Sequence, residues 1–235
     1  MLFNADIGEG IGNESQLLPF LHTCNISCGA HAGSLAEIQA AITLAIKYKV
    51  KIGAHPSFED RKNFGRKALQ ISNEELYRSI KKQVEFLYHE VDDQNSKMIH
   101  VKPHGALYHE ASLHKEIAQA IVQATIAVDS SLAIVGMPKT RLYEVAKQLK
   151  CTYINEGFAD RLYQENGSLA PRNIPNAVIT DTKQVIKQVG EILHHNQVDT
   201  MNNSTLKLDV DTICFHGDTD NAIDLLKACY NTYVV

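Results

Sequence analysis

Val101-Lys102-Pro103-His104-Gly105-Ala106-Leu107-Tyr108, entered from the apolar run that starts at Met98, is the stretch on which the fold turns. Met98 to Lys102 reads as a buried strand. Pro103 has no N–H with which to extend a ladder, and Gly105 lets the backbone approach a ligand closely. An ammonium group, an imidazole and a glycine are thus delivered together at a strand exit, the expected floor of an active site. His100 and Lys102, two apart on the strand, point to the same side.

The same punctuation recurs outward in both directions. Leu2 to Ile7 is an apolar strand closed by Gly8-Glu9-Gly10, with Asp6 at its exit, and Cys24 to Ser27 is a second strand closed by Cys28-Gly29-Ala30-His31-Ala32-Gly33. Ser34 is placed to cap a helix whose stripe is Leu35, Ile38, Ile42, Ala45 and Ile46. Lys51 to Ala54 is a third strand ending in His55-Pro56-Ser57. A polar loop with Arg61, Gly65 and Arg66 follows, then a capping box at Ser72-Asn73-Glu74-Glu75 opening a helix with Leu76, Ile80, Val84 and Leu87 on one face. Beyond the fourth strand, the spacing predicts a helix over 112–128, a strand over 132–136, a helix over 141–149 and a sixth strand over 151–155 running into Glu156 and on to Arg161. A polar excursion past Gly167 and Pro171-Arg172 has room for a small hairpin. A helix over 181–193, a polar connection over 196–209 and a last strand, Thr212 to Phe215, lead to His216-Gly217-Asp218.

Seven strand-like runs alternating with helices imply a parallel sheet, either a closed barrel or an open doubly wound sheet. In a barrel all strand exits meet at one mouth, and six of the seven exits carry ionisable groups near a glycine, so a (β/α) barrel is expected. A length of 235 residues suits one such domain over 1–235. With 44% hydrophobic and 21% charged residues the chain has the balance of a globular protein. A formal net charge of -4 with interspersed signs disfavours nucleic acid or an anionic membrane as partner. The N-terminus lacks a leader pattern and no apolar run is long enough to span a bilayer, which points to the cytoplasm. The five cysteines are scattered and read as reduced small hydrophobes.

Chemistry is expected from the residues at the mouth. His31, His55, His104 and His216 sit at strand exits, and Asp6, Glu9, Glu156, Asp160 and Asp218 add carboxylates suited to general-base work or to a divalent ion. Lys102, buried, needs a partner: Asp6, Glu156 or an anionic group of the substrate. Arg66, Arg161 and Arg172 lie in loops at the same end, where guanidinium groups can clamp a carboxylate or phosphate. Neither a Walker run, a dinucleotide fingerprint nor a serine nucleophile elbow is present.

In order along the chain, Asn4-Ala5-Asp6-Ile7-Gly8-Glu9, Asn25 to Gly33, Ala54-His55-Pro56-Ser57, Phe64-Gly65-Arg66, Val101 to Tyr108, Glu156 to Tyr163, Pro171-Arg172 and Cys214 to Asp218 resemble the LamB/YcsF family. The resemblance implies a distorted (β/α) barrel similar to that of the polysaccharide deacetylases. It also implies ATP-dependent opening of 5-oxoproline to L-glutamate together with PxpB and PxpC subunits, ATP being a co-substrate of the complex. Such chemistry would have Asp6 or His104 activate water, Lys102 and Arg172 hold carboxylate or phosphoryl oxygens, and His55 and His216 orient groups or transfer protons. Glu9, His31, Arg66, Glu156, Arg161 and Asp218 would complete substrate binding. Two alternatives stay open: a metal-dependent hydrolase of a sugar amide with Asp6, His55 and His104 around the ion, and a non-catalytic substrate-binding subunit. Self-association into a homo-oligomer is compatible with all three.

Overall fold

The computed structural model describes residues 2–219 and 221–234. β1 (Leu2–Ile7), β2 (Thr23–Ser27), β3 (Lys51–His55), β4 (Met98–Val101), β5 (Ala133–Gly136) and β6 (Tyr153–Phe158) pair in sequence order. A short antiparallel hairpin, β7 (Gln197–Asp199) and β8 (Thr205–Lys207), stands apart from them. The last strand, β9 (Thr212–Phe215), pairs with both β6 and β1, closing an all-parallel barrel of seven strands. This is the expected architecture, and its distortion is local. The β3–β4 register shifts at Ile52/Gly53, where a Cβ on residue 53 would collide with the His100 ring. Glycine there makes room for an imidazole inside the barrel.

The helices are α1 (Glu14–Leu17), α2 (Leu35–Lys47), α3 (Asn73–Asp93), α4 (Gly105–Leu113), α5 (Lys115–Val128), α6 (Arg141–Gln148), α7 (Thr182–His195) and α8 (Ala222–Tyr233). The Ser34 and Ser72 capping boxes both form, each side chain accepting from the backbone N–H three residues on. Each cap contributes about 1 kcal/mol. The α3 stripe of Leu76, Ile80, Val84 and Leu87 is buried as expected, but on α2 Leu35 and Ile46 are exposed and Ala41 packs inward with Ile38, Ile42 and Ala45. Among the described residues no helix is long and apolar enough to cross a membrane.

Three further expectations shift. The helix expected over 112–128 is two helices, because Gly105, at φ 52°, starts α4 directly at the strand exit and His114 is extended between α4 and α5. The sixth strand begins later than Cys151: Lys150 is left-handed and the Cys151 N–H still closes α6 on Ala146. Glu156 and Phe158 therefore belong to β6, paired with Thr212 and Cys214. The connection over 196–209 holds the β7–β8 hairpin, whose strands carry one apolar residue each, too short an alternation to betray it, and which leans on the excursion through the Met201 N–H bond to the Tyr163 carbonyl.

The barrel turns its polar side inward. Phe3, Ala5, Ile26, Ile52, Ala54, Val101, Ile213 and Phe215 belong to the apolar core, while Asn4, Asn25, His100 and Thr212 bond to one another across the barrel. Apolar burial between strands and helices holds the frame, and the interior is free to hold charge.

Candidate active site

Polar groups rise through the barrel in connected layers. At the bottom, the Asn4 amide donates to Thr212 Oγ1 at 2.9 Å, Asn25 donates to Asn4 Oδ1 at 2.9 Å, and His100 Nε2–H donates to Asn25 Oδ1 at 2.6 Å. Burial, then the nearby Lys102 charge, pushes the His100 pKa down to about 3, so this imidazole is neutral. The second Asn25 amide proton goes up to Asp6 Oδ1 at 2.9 Å, tying the floor to the reactive layer.

Lys102 occupies that layer and finds structural carboxylates. Its ammonium lies 3.0 Å from Asp6 Oδ1 and 2.9 Å from Glu156 Oε1, with Cys214 Sγ at 3.1 Å. Tyr108 donates to the other Glu156 oxygen at 2.9 Å. Burial by itself lowers a lysine's pKa, but the charges facing Lys102, Asp6 foremost, hold it well above the ordinary value. Burial would likewise raise Asp6, and His55 followed by Lys102 holds it well below the usual carboxylate range. A cation so enclosed is a spacer between two carboxylates.

Three imidazoles form a cup above Lys102. His55 donates from Nδ1 to the Lys102 carbonyl at 2.8 Å, and its Nε2 faces Asp6 Oδ2 at 3.2 Å and His104 Nδ1 at 3.0 Å. His104 donates from Nε2 to the Phe64 carbonyl at 2.9 Å, and burial, then the His55 charge, lowers its pKa well below normal. Neutral His104 thus presents a bare Nδ1, and the atoms facing His55 Nε2 are acceptors. The position suits a cation, either a proton on the ring or a divalent ion. Asp6, His55 and His104 each offer a ligand atom within 4.8 Å of the others, and so do Glu9, His31 and His104. His31 stacks on His104 at 3.8 Å between centroids, and Gly65, at φ 64°, lies so close that a Cβ there would press on the His104 ring and on the His31 Cβ.

The Glu9 proton can be located from its neighbours. Ser57 donates its hydroxyl to the Phe58 carbonyl, so His31 Nδ1–H must donate to Ser57 Oγ, at 3.0 Å, leaving His31 Nε2 as acceptor toward Glu9 Oε1 at 3.0 Å. Burial, then the charge of Asp6, raises Glu9 to about 7, whereas burial and then His55 lower His31 to about 3. The shared proton resides on Glu9. A carboxylic acid near neutrality faces the cavity.

Across the mouth, Asp160 takes the His216 Nδ1–H at 2.7 Å and the His216 backbone N–H at 2.9 Å, leaving Nε2 as the basic nitrogen. Arg66 and Arg172 both contact one oxygen of Asp218, and the Arg66 guanidinium lies 5.0 Å over the Phe64 ring. Arg161 also reaches the mouth, but its guanidinium donates to the Ala170 and Ala177 carbonyls and so braces the excursion that carries Arg172.

A cavity of about 340 Å³ is lined by Asp6, Glu9, His55, Lys102, His104, His216, Arg66, Arg161, Arg172 and Asp218, ten of the thirteen ionisable residues singled out at the mouth from sequence. His31 and Glu156 stand directly behind Glu9 and Lys102. The volume fits a small metabolite. Sequence reading passed over Asn25, Tyr108 and Ser57 as site residues. Asn25 had a signal: Thr23, Asn25 and Ser27 alternate polar on a strand whose every residue is buried.

The LamB/YcsF family model matches residues 1–234. The chain is 39% identical over 224 residues to the 5-oxoprolinase A-subunit of Haemophilus influenzae strain PittEE, covering 95% of this chain and 91% of that protein. A lactam utilization protein from Thermus thermophilus superimposes with a TM-score of 0.93 at 33% identity, over 98% of this chain and 94% of the other. A family 4 carbohydrate esterase from Streptomyces lividans shares the fold alone, with a TM-score of 0.50 at 10% identity over 98% and 86% of the two chains. The chain belongs to the LamB/YcsF family.

Proposed function

We propose that this chain is the lactam-opening subunit of a 5-oxoprolinase, converting 5-oxoproline to L-glutamate with ATP as co-substrate and PxpB- and PxpC-type subunits as partners. The observation that supports it most is the kinship with the 5-oxoprolinase A-subunit over 95% of the chain, with the acid, base and arginine groups gathered around one small cavity.

A lactam carbonyl is a poor electrophile, and phosphorylation of its oxygen by the complex makes the carbon attackable. In the reading the geometry favours, His216 Nε2 takes a proton from water, its tautomer held by Asp160. The water oxygen bonds to the ring carbon, and the tetrahedral intermediate collapses with cleavage of its C–N bond as neutral Glu9 transfers its proton to the departing nitrogen; the acyl phosphate left behind is hydrolysed by a second water to the side-chain carboxylate and inorganic phosphate. Arg66 and Arg172 hold the substrate carboxylate, a part shared between Lys102 and Arg172 on sequence grounds.

One observation favours a second reading, the convergence of acceptor atoms from Asp6, His55 and His104. These residues fit a divalent cation, which when bound would polarise a carbonyl oxygen or acidify a water. The experiment is common to both. The chain, alone and with its partner subunits, is assayed for 5-oxoproline-dependent ATP hydrolysis and glutamate release, with and without chelator. Glutamate release that needs all components and resists chelator supports the first reading; stoichiometric metal and chelator-sensitive amide hydrolysis without ATP would overturn it.

A further inference from the structure

The rim of the cavity holds a carboxylate, Asp218, that the chemistry above does not use. Arg66, from the loop after β3, and Arg172, from the excursion after β6, converge on the same oxygen, Oδ2, of Asp218, which follows β9. Three separate loops therefore meet at one carboxylate oxygen, at the edge of the cavity where a ligand enters. Both guanidiniums are partly exposed, 45% for Arg66 and 34% for Arg172, so the bridge can open at little cost. Their placement is not loose. Arg66 lies over the ring of Phe64, whose backbone is left-handed at φ 54° and whose carbonyl is anchored by His104, while Arg161 braces the segment that carries Arg172.

We propose that Asp218 is a charge filter: it occupies the two-arginine clamp until a small monocarboxylate exchanges for it, and it discriminates against phosphate-like dianions. A resident carboxylate shows that the clamp accepts that chemistry. The charge balance sets the selectivity. Arg66 and Arg172 bring two positive charges and Asp218 one negative, so once displaced but still nearby it leaves a single positive charge to be matched. A carboxylate matches it; a doubly charged phosphate meets repulsion from Asp218. Asp218 is thus a specificity residue acting through the two arginines. The inference rests on the lactam-acid reading for the identity of its ligand, but not for the filter itself.

The test is calorimetric titration of the full chain with 5-oxoproline, with its neutral analogue 2-pyrrolidinone, and with inorganic phosphate. Asp218→Asn should tighten phosphate binding by roughly three- to tenfold, the size expected for removing one partly exposed charge from a pair of contacts, and should change 5-oxoproline affinity less. Arg66→Ala and Arg172→Ala should each weaken 5-oxoproline several-fold and leave 2-pyrrolidinone unchanged. Unchanged or weaker phosphate binding in Asp218→Asn overturns the filter. So does 5-oxoproline affinity that is indifferent to both arginine substitutions. If the wild-type chain binds neither lactam while phosphate still tightens in Asp218→Asn, the filter stands and the substrate reading falls.

Discussion

The two walls of the cavity are built on opposite plans. On the β1–β4 side, Asp6, His31, His55, Lys102 and His104 are mostly or wholly buried and locked to one another and to backbone carbonyls. At the rim, Arg172 and Asp218 of the β6–β9 side and Arg66, reaching over from the loop after β3, share one contact point and reach solvent. The difference follows from cost. A buried charge needs a partner at all times, so the inner wall cannot release its ions without large destabilisation. Exposed pairs are worth at most about 1 kcal/mol and can be exchanged for a ligand. The inner wall suits proton handling in fixed geometry, and the rim suits recognition.

That contrast can be broken most severely at Lys102. Lys102→Met leaves Asp6 and Glu156 facing each other without a cation, and a loss of about 3–5 kcal/mol of folding stability is expected, with activity abolished. Denaturant titration checks it, and a variant as stable as wild type would show that the inner wall is not interlocked. Next in size, Asp160→Asn should cost on the order of 10²–10⁴ in kcat with little change in stability, because His216 loses the acceptor that fixes its tautomer. A change in KM alone would place His216 with the rim.

Glu9→Gln tests the inner wall by pH. The folded-state pKa of Glu9, about 7, lies above its unfolded value, so its stabilising contribution is full at acid pH and is lost as pH rises through 7. Glutamine cannot ionise. The stability of Glu9→Gln relative to wild type should therefore increase between pH 5 and 8, by on the order of 2 kcal/mol, and a pH-independent difference in melting temperature would contradict the assignment. The variant should also lose turnover, since it has no proton to give. The smallest effect belongs to the rim: Arg172→Ala should raise KM for 5-oxoproline roughly tenfold with kcat and melting temperature nearly unchanged. A matching loss of stability would mean that the rim is built like the wall.

Much of this was legible before the fold. Glycine and proline after short apolar runs located the strand exits, and Ser34 and Ser72 marked helix starts correctly. The β7–β8 hairpin escaped because its strands are polar and only three residues long. The start of β6 escaped because Cys151 is apolar yet still belongs to the turn out of α6. Most of the ionisable residues read at strand exits do line one cavity, but how they pair with one another was not legible. Lys102 was open between a structural carboxylate, Asp6 or Glu156, and an anionic substrate group, and the closed barrel places both carboxylates on it; Glu9 read as a generic substrate contact until Ser57 and His31 located its proton.

By itself, then, the sequence determined the alternation of strands and helices, the caps, and the list of ionisable groups at strand exits, because these depend on backbone preferences and side-chain periods that act over a few residues. Only the tertiary structure decided which charges are paired, which imidazole nitrogens are bare, and which cations are left to meet a ligand. Those outcomes depend on barrel closure, which brings Lys102 against Asp6, 96 residues away, and Arg66 against Asp218, 152 residues away. At such separations no local pattern carries the information, and the energy of a charge is set by what the closed barrel places beside it.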